Sequence, residues 1–135
     1  NHGNTKNMEK VFEIAREEFD GICYVNLVDF DMLYGHRRDI DGYTKAFNEF
    51  DEQLGTLLAI MKPDDTLFIT ADHGCDPGYK GTDHTRECVP LLYYGPEKCM
   101  KRNLGVRESY ADISATIAEL LKVSYVGSGK SMILD

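Results

Sequence analysis

Apolar residues follow two patterns along the chain, helical spacing in some segments and short continuous runs in others. Three segments place apolar residues three and four positions apart, which is the period of one helix face: 5–19, 39–61 and a last segment that opens at Ser109. Three short runs rich in β-branched and aromatic residues are typical of buried strands: 22–30, 66–70 and 89–94. This order of elements predicts an α/β fold in which helices flank an open, mostly parallel sheet.

The boundaries of these elements carry signals of their own. Gly21 follows the first helical segment and Pro63 follows the second, and both residue types end helices. Ser109, with Asp112 three residues later, predicts a capping box at the start of the last helix. The connection over 75–87 is longer than most loops of compact domains, and such loops are often functional.

Composition places the chain among globular proteins. With 135 residues, of which 42% are hydrophobic and 28% charged, it has the size and balance of one folded domain. No apolar run approaches the roughly 20 residues that cross a bilayer, and no basic and apolar leader marks the chain for secretion. Because the chain begins with Asn1 rather than Met, we expect a piece of a longer protein.

The charge balance is acidic, with 15 Lys and Arg against 23 Asp and Glu and a net charge of -8. This balance argues against nucleic-acid binding, which leaves a basic footprint. A phosphate substrate is still compatible with it, because bound divalent metals reverse the local sign of charge. The four cysteines show no C-x-x-C spacing and predict free thiols in a reducing cytoplasm: Cys23, Cys75, Cys88 and Cys99.

Candidate chemistry gathers just past the ends of two predicted strands, which is where open α/β sheets bind ligands. Three of the four histidines lie there, in turns that contain glycine and aspartate: His36, His73 and His84. Carboxylates mixed with imidazoles form a ligand set that suits Mn, Fe or Zn. Together with the neighbouring acids, the candidate metal ligands are Asp31, His36, Asp72, His73 and His84.

The number of these ligands indicates an incomplete site. Five ligands are too many for one open catalytic metal and too few for two ions, which need about six or more. We therefore expect further ligands outside this sequence. The residues alone leave open whether Asp29 or Asp31 is a ligand, because positions two apart on a strand share a face. A nucleophile is also missing, since Thr70, Thr82 and Cys75 are more simply interpreted as structural residues.

Three motifs resemble the phosphopentomutases, a family within the alkaline phosphatase superfamily of bimetal phosphotransferases. They are N-L-V-D-F-D-M-L-Y-G-H-R-R-D at 26–39, T-A-D-H-G at 70–74 and G-T-D-H-T-R-E at 81–87. The resemblance covers nearly the whole chain after Phe19. The A-D-H-G tetrapeptide is typical of the superfamily, whereas the D-x-x-x-x-H spacing of Asp31 and His36 separates this family from the cofactor-independent phosphoglycerate mutases. The resemblance therefore favours Asp31 over Asp29.

For the site, the resemblance implies a pair of manganese ions. Asp31, His36 and His84 would bind one ion, and Asp72 and His73 would bind the other. In the family, an aspartate and a phosphorylatable threonine from an early segment complete the second site, and a cap domain is inserted after that segment. Residues 1–135 would then form the C-terminal segment of the metal-binding core, with the nucleophile segment and the cap outside it.

The activity implied by the resemblance is isomerisation of (deoxy)ribose 1-phosphate to (deoxy)ribose 5-phosphate in cytoplasmic nucleoside catabolism. The route would run through a phosphothreonine and a bisphosphate intermediate, with a sugar bisphosphate as activator. The expected partners are a small pentose phosphate and the remainder of the protein's own core and cap, with neither nucleic acid nor membrane. We expect the chain alone to be inactive.

Two alternatives to this activity stay open at the level of sequence. One is another enzyme of the same superfamily, either a cofactor-independent phosphoglycerate mutase or a metal-dependent phosphohydrolase. The other is a metal-binding piece without catalysis.

Overall fold

The computed structural model of the protein describes residues 3–95 and 103–133. Its elements in chain order are α1 (Asn4–Arg16), a π-helical turn (Phe30–Gly35), α2 (Ile40–Ile60), β1 (Leu67–Thr70), β2 (Leu91–Tyr94) and α3 (Ala111–Leu120). Strands β1 and β2 form a two-stranded sheet. None of the described helices combines the length and the apolar character that crossing a membrane requires.

Two compact units make up the chain. The first comprises Asn1–Lys62 and Phe68–Leu92, and the second comprises Pro63–Leu67 and Tyr93–Asp135. In the first unit, α1 and the π-helical turn each pack against α2. The ring of Phe30 lies 5.3 Å from that of Tyr43 and 6.4 Å from that of Phe50, measured between centroids. These aromatic contacts hold the π-helical turn against the apolar face of α2.

Helix α2 begins with a side-chain cap that sets its position beside the π-helical turn. Oδ1 of Asp39 accepts a hydrogen bond of 2.9 Å from the amide of Gly42, which satisfies one of the unpaired donors of the first turn. Gly42 is also where the first turn of α2 lies close to the π-helical turn, because a Cβ atom there would lie 2.4 Å from Cδ1 of Tyr34. Glycine therefore lets the start of α2 lie directly against the preceding turn.

Helix α1 is capped by a residue distant in sequence. Oδ2 of Asp29 accepts a hydrogen bond of 2.7 Å from the amide of Asn4, and Oδ1 of Asn4 accepts one of 3.1 Å from the amide of Asp29. A carboxylate at a helix N-terminus is stabilised both by the free amides and by the helix dipole. This reciprocal pair ties the start of α1 to the residue just before the π-helical turn.

The second unit is organised around a buried polar network on α3. Thr116 is fully buried, and its Oγ1 donates a hydrogen bond of 2.6 Å to the carbonyl of Asp112 and accepts one of 3.0 Å from the amide of Met132. The carboxylate of Asp112 accepts hydrogen bonds from the amide of Lys130 at 2.8 Å and from Nε of Arg107 at 2.7 Å. Side chains of α3 therefore hold the C-terminal segment in place.

Several of the predicted elements are confirmed with shifted ends. Helix α2 lies within one residue of the prediction at each end, whereas α1 ends at Arg16 instead of residue 19. Strand β1 begins one residue later than predicted and β2 begins at Leu91 instead of residue 89. The helical spacing of apolar residues was sufficient to predict the bounds of α2, because the helix and its cap both depend on residues close in sequence.

Two predictions are wrong. Residues 22–30 do not form a strand: no backbone–backbone hydrogen bond joins 22–27 to another described residue, and Phe30 opens the π-helical turn. A strand needs a partner, and none of the described segments supplies one there. The capping box at Ser109 is also not formed. Oγ of Ser109 accepts from the amide of Ala111, but the carboxylate of Asp112 is engaged by Lys130 and Arg107 instead.

Candidate metal centre

The π-helical turn places Asp31 and His36 on one side of the backbone. The amide of His36 donates a hydrogen bond of 3.0 Å to the carbonyl of Asp31, five residues earlier, which is the spacing that defines a π-helix. In an α-helix, residues five apart would point about 140° away from each other. Here Nε2 of His36 lies 3.4 Å from Oδ2 of Asp31, so the turn brings the acid and the imidazole together.

His84 completes a cluster of three from the long loop. Its Nε2 lies 3.4 Å from Oδ1 of Asp31, and its ring centroid lies 5.1 Å from that of His36. One potential ligand atom from each of Asp31, His36 and His84 lies within 4.8 Å of the other two. The structure thus brings together the three residues that the resemblance assigns to one metal ion.

Two of the histidines are held in the ring form that leaves Nε2 available to a metal. Nδ1 of His36 lies 2.6 Å from the carbonyl oxygen of Thr82, and Nδ1 of His73 lies 2.9 Å from the carbonyl oxygen of Gly74. A carbonyl oxygen can only accept, so Nδ1 carries the proton in each of these hydrogen bonds. In the neutral ring the lone pair is then on Nε2, which is the arrangement usual for metal-binding histidines.

Asp72 and His73 lie beside the cluster rather than within it. Nε2 of His73 is 3.5 Å from Oδ1 of Asp72, and the His73 ring stacks on that of His84 with centroids 3.6 Å apart. Neither residue belongs to the described group of ligand atoms that lie within 4.8 Å of one another. The stacked rings nevertheless place the predicted ligands of the second ion next to those of the first.

The structure separates the two aspartates that the sequence left as alternatives. Asp29 is engaged at the start of α1 through its hydrogen bonds with Asn4, whereas Asp31 lies between the two histidines of the cluster. Of this pair, Asp31 is therefore the one placed to bind a metal ion together with His36 and His84.

The long loop is fastened around Gly74 and Thr85. These two residues form an isolated antiparallel bridge, and a Cβ atom on Gly74 would lie 2.4 Å from the carbonyl oxygen of Thr85. Oγ1 of Thr85 accepts a hydrogen bond from the amide of Asp76 and donates one of 2.7 Å to Oε1 of Glu87. The bond from Thr85 holds the pKa of the Glu87 carboxyl below its ordinary value. This fastening keeps His73 and His84 within stacking distance.

Sequence reasoning missed the π-helical turn and the residues that support the cluster from outside. Cys75 was interpreted as a structural thiol; it lies partly buried beside Asp31, and burial raises its pKa, with the Asp31 carboxylate raising it further. The available signal was the spacing of Asp31 and His36, since five residues fit neither a strand nor an α-helix. The hydrogen bond from His36 to the backbone carbonyl of Thr82 has no signature in the sequence, because every residue has a backbone carbonyl.

The donor set fits a divalent transition metal. One carboxylate and two imidazoles combine oxygen and nitrogen ligands, as Mn, Fe and Zn sites do, whereas Mg prefers oxygen alone. The three residues are half-exposed or exposed, so solvent reaches the cluster.

Comparison with known proteins identifies the family of the chain. The family model described as the Metalloenzyme superfamily matches residues 1–125, and the chain belongs to that family. Membership confirms the predicted α/β fold of the alkaline phosphatase type. The chain is similar to proteins named phosphopentomutase from three bacteria: it is 51% identical over 131 residues to that of Desulfitobacterium hafniense, 48% over 132 to that of Acetivibrio thermocellus, and 52% over 127 to that of Limosilactobacillus reuteri.

These matches cover nearly all of this chain and only part of each relative. They span 97%, 98% and 93% of the chain but 34%, 34% and 32% of the respective relatives. The chain therefore spans about a third of the length of the curated relatives it matches.

Proposed function

We propose that the full-length protein containing this chain is a phosphopentomutase. It interconverts ribose 1-phosphate or its 2-deoxy form with the corresponding 5-phosphate, through a phosphothreonine and a bisphosphate intermediate. The observation that carries the proposal is the convergence of Asp31, His36 and His84, within a chain about 50% identical to proteins of that name. A sugar bisphosphate would serve as the activator that keeps the threonine phosphorylated.

The metal pair in this proposal is manganese. Asp31, His36 and His84 would hold one ion, and Asp72 and His73 would contribute to the other. Two such ions neutralise charge on a transferring phosphoryl group and activate the attacking oxygen. The chain's own residues keep the rings of His36 and His73 oriented, because their Nδ1 atoms donate to the carbonyls of Thr82 and Gly74.

The chain would supply the C-terminal segment of the catalytic core. The nucleophilic threonine, the remaining ligands of the second ion and a cap that grips the sugar would come from the rest of the protein. Residues 22–27 support this division: apolar side chains such as Ile22 and Tyr24 are 63% and 85% exposed, although the run has the composition of a buried strand. A strand contributed by the remainder of the core would cover them.

The cellular setting in this proposal is a reducing cytoplasm. Cys23, Cys75 and Cys88 are free thiols in the structure, which agrees with that compartment. Cys99 lies outside the described residues.

The test uses the full-length protein with ribose 1-phosphate, manganese and a sugar bisphosphate. Formation of ribose 5-phosphate, lost on His84→Ala but retained on Cys88→Ala, would support the proposal, since Cys88 is an exposed thiol with no place in the cluster. Release of free phosphate without isomerisation would identify a phosphohydrolase instead. Turnover of 3-phosphoglycerate would identify a phosphoglycerate mutase.

The 135-residue chain should be assayed beside the full-length protein. We expect negligible turnover from it, because the described metal cluster consists of Asp31, His36 and His84 and includes no serine, threonine or cysteine that could act as the nucleophile. Mutase activity of the isolated chain would contradict the proposed division between the two segments.

A further inference from the structure

The sulfur of Cys75 lies against both ends of the π-helical turn. Sγ is 3.9 Å from the carbonyl oxygen of Phe30, where the turn begins, and 3.9 Å from Oδ1 of Asp31. At the other end, a Cβ atom on Gly35 would lie only 2.3 Å from the same sulfur. Cys75 thus fills the space beside Gly35 and reaches the carboxylate of the metal cluster.

A π-helical turn needs support of this kind. Its hydrogen bonds span one residue more than those of an α-helix, and such turns are rare, short and frequently found at functional sites. Without side chains packed against this wider turn, the backbone around Asp31 and His36 would relax to an α-helical turn. That relaxation would turn the two ligands about 140° apart.

The packing of the Cys75 sulfur against Gly35 favours π-helical over α-helical hydrogen bonding in the turn. Gly35 is the last residue of the turn, one position before His36, and a Cβ atom there would also lie 3.0 Å from the carbonyl oxygen of Phe30. A side chain at position 35 would therefore push against Cys75 and against the opening of the turn at once. Movement of either one changes the separation of Asp31 from His36.

We propose that Cys75 is a positioning residue of the metal centre: its sulfur, packed on Gly35 and directed at Asp31, fixes the π-helical register that makes Asp31 and His36 share one metal ion. The inference rests on the proposed function for the identity of the ion and on the packing geometry for the role of the sulfur. Cys75 is not itself a ligand in this arrangement. It acts through the two residues that are.

Steric coupling between positions 35 and 75 gives the test. Gly35→Ala should lower the affinity of the chain for Mn²⁺ by about 10- to 100-fold, the range usual for residues that orient metal ligands. Cys75→Ala alone should also weaken Mn²⁺ binding, because the space beside Gly35 is then left empty. Gly35→Ala/Cys75→Ala should recover most of the affinity, since the methyl group at position 35 then takes up the space that the sulfur leaves. Cys75→Val, which adds bulk on the same side, should weaken Mn²⁺ binding in the presence of Gly35.

Gly55→Ala in α2 is the matched control, because no atom lies within 4 Å of where its Cβ would be. It should leave Mn²⁺ affinity unchanged. Affinity is measured by calorimetry well below the melting temperature of each variant, so that a loss of stability alone does not imitate the effect. Additive losses in Gly35→Ala/Cys75→Ala, or full affinity in Cys75→Ala alone, would overturn the proposal.

A metal-free readout separates this inference from the proposed function. The amide of His36 donates the hydrogen bond that defines the π-helical turn, so its hydrogen exchange should accelerate at least about 10-fold in Gly35→Ala and return toward the wild-type rate in the double variant. If the full-length protein showed no mutase activity while this pattern held, the proposed function would fail and the positioning role would stand. Unchanged exchange in Gly35→Ala would count against the positioning role whatever the activity.

Discussion

Nδ1 of His36 lies 2.6 Å from the carbonyl oxygen of Thr82, which is 46 residues further along the chain. This hydrogen bond joins the π-helical turn to the long loop and fixes which ring nitrogen carries the proton. The same kind of bond, from His73 to the carbonyl of Gly74, fixes the second ring. The protein therefore sets the orientation of the imidazoles before a metal arrives.

We expect the metal-free chain to keep a proton on Nδ1 of both rings. Nitrogen-15 NMR of the side chains should show a protonated Nδ1 for His36 and His73, because the two carbonyls can only accept. The chain unfolded in urea is the control, since both rings should then show averaged tautomers. A His36 ring without a proton on Nδ1 in the folded chain would contradict the arrangement described for the cluster.

Replacing Asp31 and Asp29 one at a time should separate metal binding from helix stability. Asp31→Ala removes the carboxylate that lies between His36 and His84, and Mn²⁺ affinity should fall at least about 100-fold. Asp29→Ala removes the acceptor at the start of α1 instead, and should lower the free energy of unfolding by about 1 kcal/mol.

Calorimetric titration with Mn²⁺ and urea unfolding of the same two variants check this pair of outcomes. Each variant serves as the control for the other, because the two aspartates are two residues apart and identical in type. A greater loss of Mn²⁺ affinity in Asp29→Ala than in Asp31→Ala would reverse the assignment of the ligand.

Some elements of this fold can be predicted from the sequence and others cannot, for a physical reason. Helix α2 was predicted almost to the residue because its apolar face and its Asp39 cap depend on residues within a few positions. Residues 22–30 were predicted as a strand, yet strand formation depends on a partner elsewhere in sequence. The apolar composition of residues 22–30 indicates that the run suits a buried position, but it does not show whether a neighbouring strand is present to bury it.

The metal cluster was predictable as a set of residue types and not as a geometry. Aspartates and histidines after apolar runs indicated a metal site, and the resemblance distributed them between two ions. That Asp31 faces His36 depends on a π-helical turn, which has no propensity signature in the sequence. The stacking of His73 on His84 depends on a bridge between Gly74 and Thr85 that no local pattern reveals.

The buried hydroxyl of Thr116 offers a test of the second unit. Thr116→Val keeps the volume of the side chain but removes the hydrogen bonds with Asp112 and Met132, and should cost about 1–3 kcal/mol of unfolding free energy. Thr116→Ser keeps the hydroxyl and loses one methyl group, which costs about 1 kcal/mol.

Hydrogen exchange of the Met132 amide distinguishes the two causes of destabilisation. It should accelerate in Thr116→Val, where the accepting oxygen is gone, and stay near the wild-type rate in Thr116→Ser. Equal acceleration in both variants would show that packing of the methyl group, rather than the hydrogen bond, holds the C-terminal segment on α3.

The stability of the second unit should fall in acid through Asp112. The hydrogen bond from the Lys130 amide holds the pKa of the Asp112 carboxyl below its ordinary value against the opposing effect of burial, and the Arg107 guanidinium lowers it further. Because the folded-state pKa is depressed, the contribution of Asp112 is fully present above the unfolded-state pKa of about 3.9 and is lost as the pH falls through the folded-state pKa.

Urea unfolding of the wild type and of Asp112→Asn from about pH 6 down to about pH 2.5 measures this contribution. The difference in unfolding free energy between the two should be constant above the unfolded-state pKa and should shrink below it. Arg107→Gln should reduce this pH dependence without abolishing it, since the Lys130 amide has the larger effect on the pKa. A difference that stayed constant down to the lowest pH would mean that the charge of Asp112 contributes nothing to holding residues 130–132 on α3.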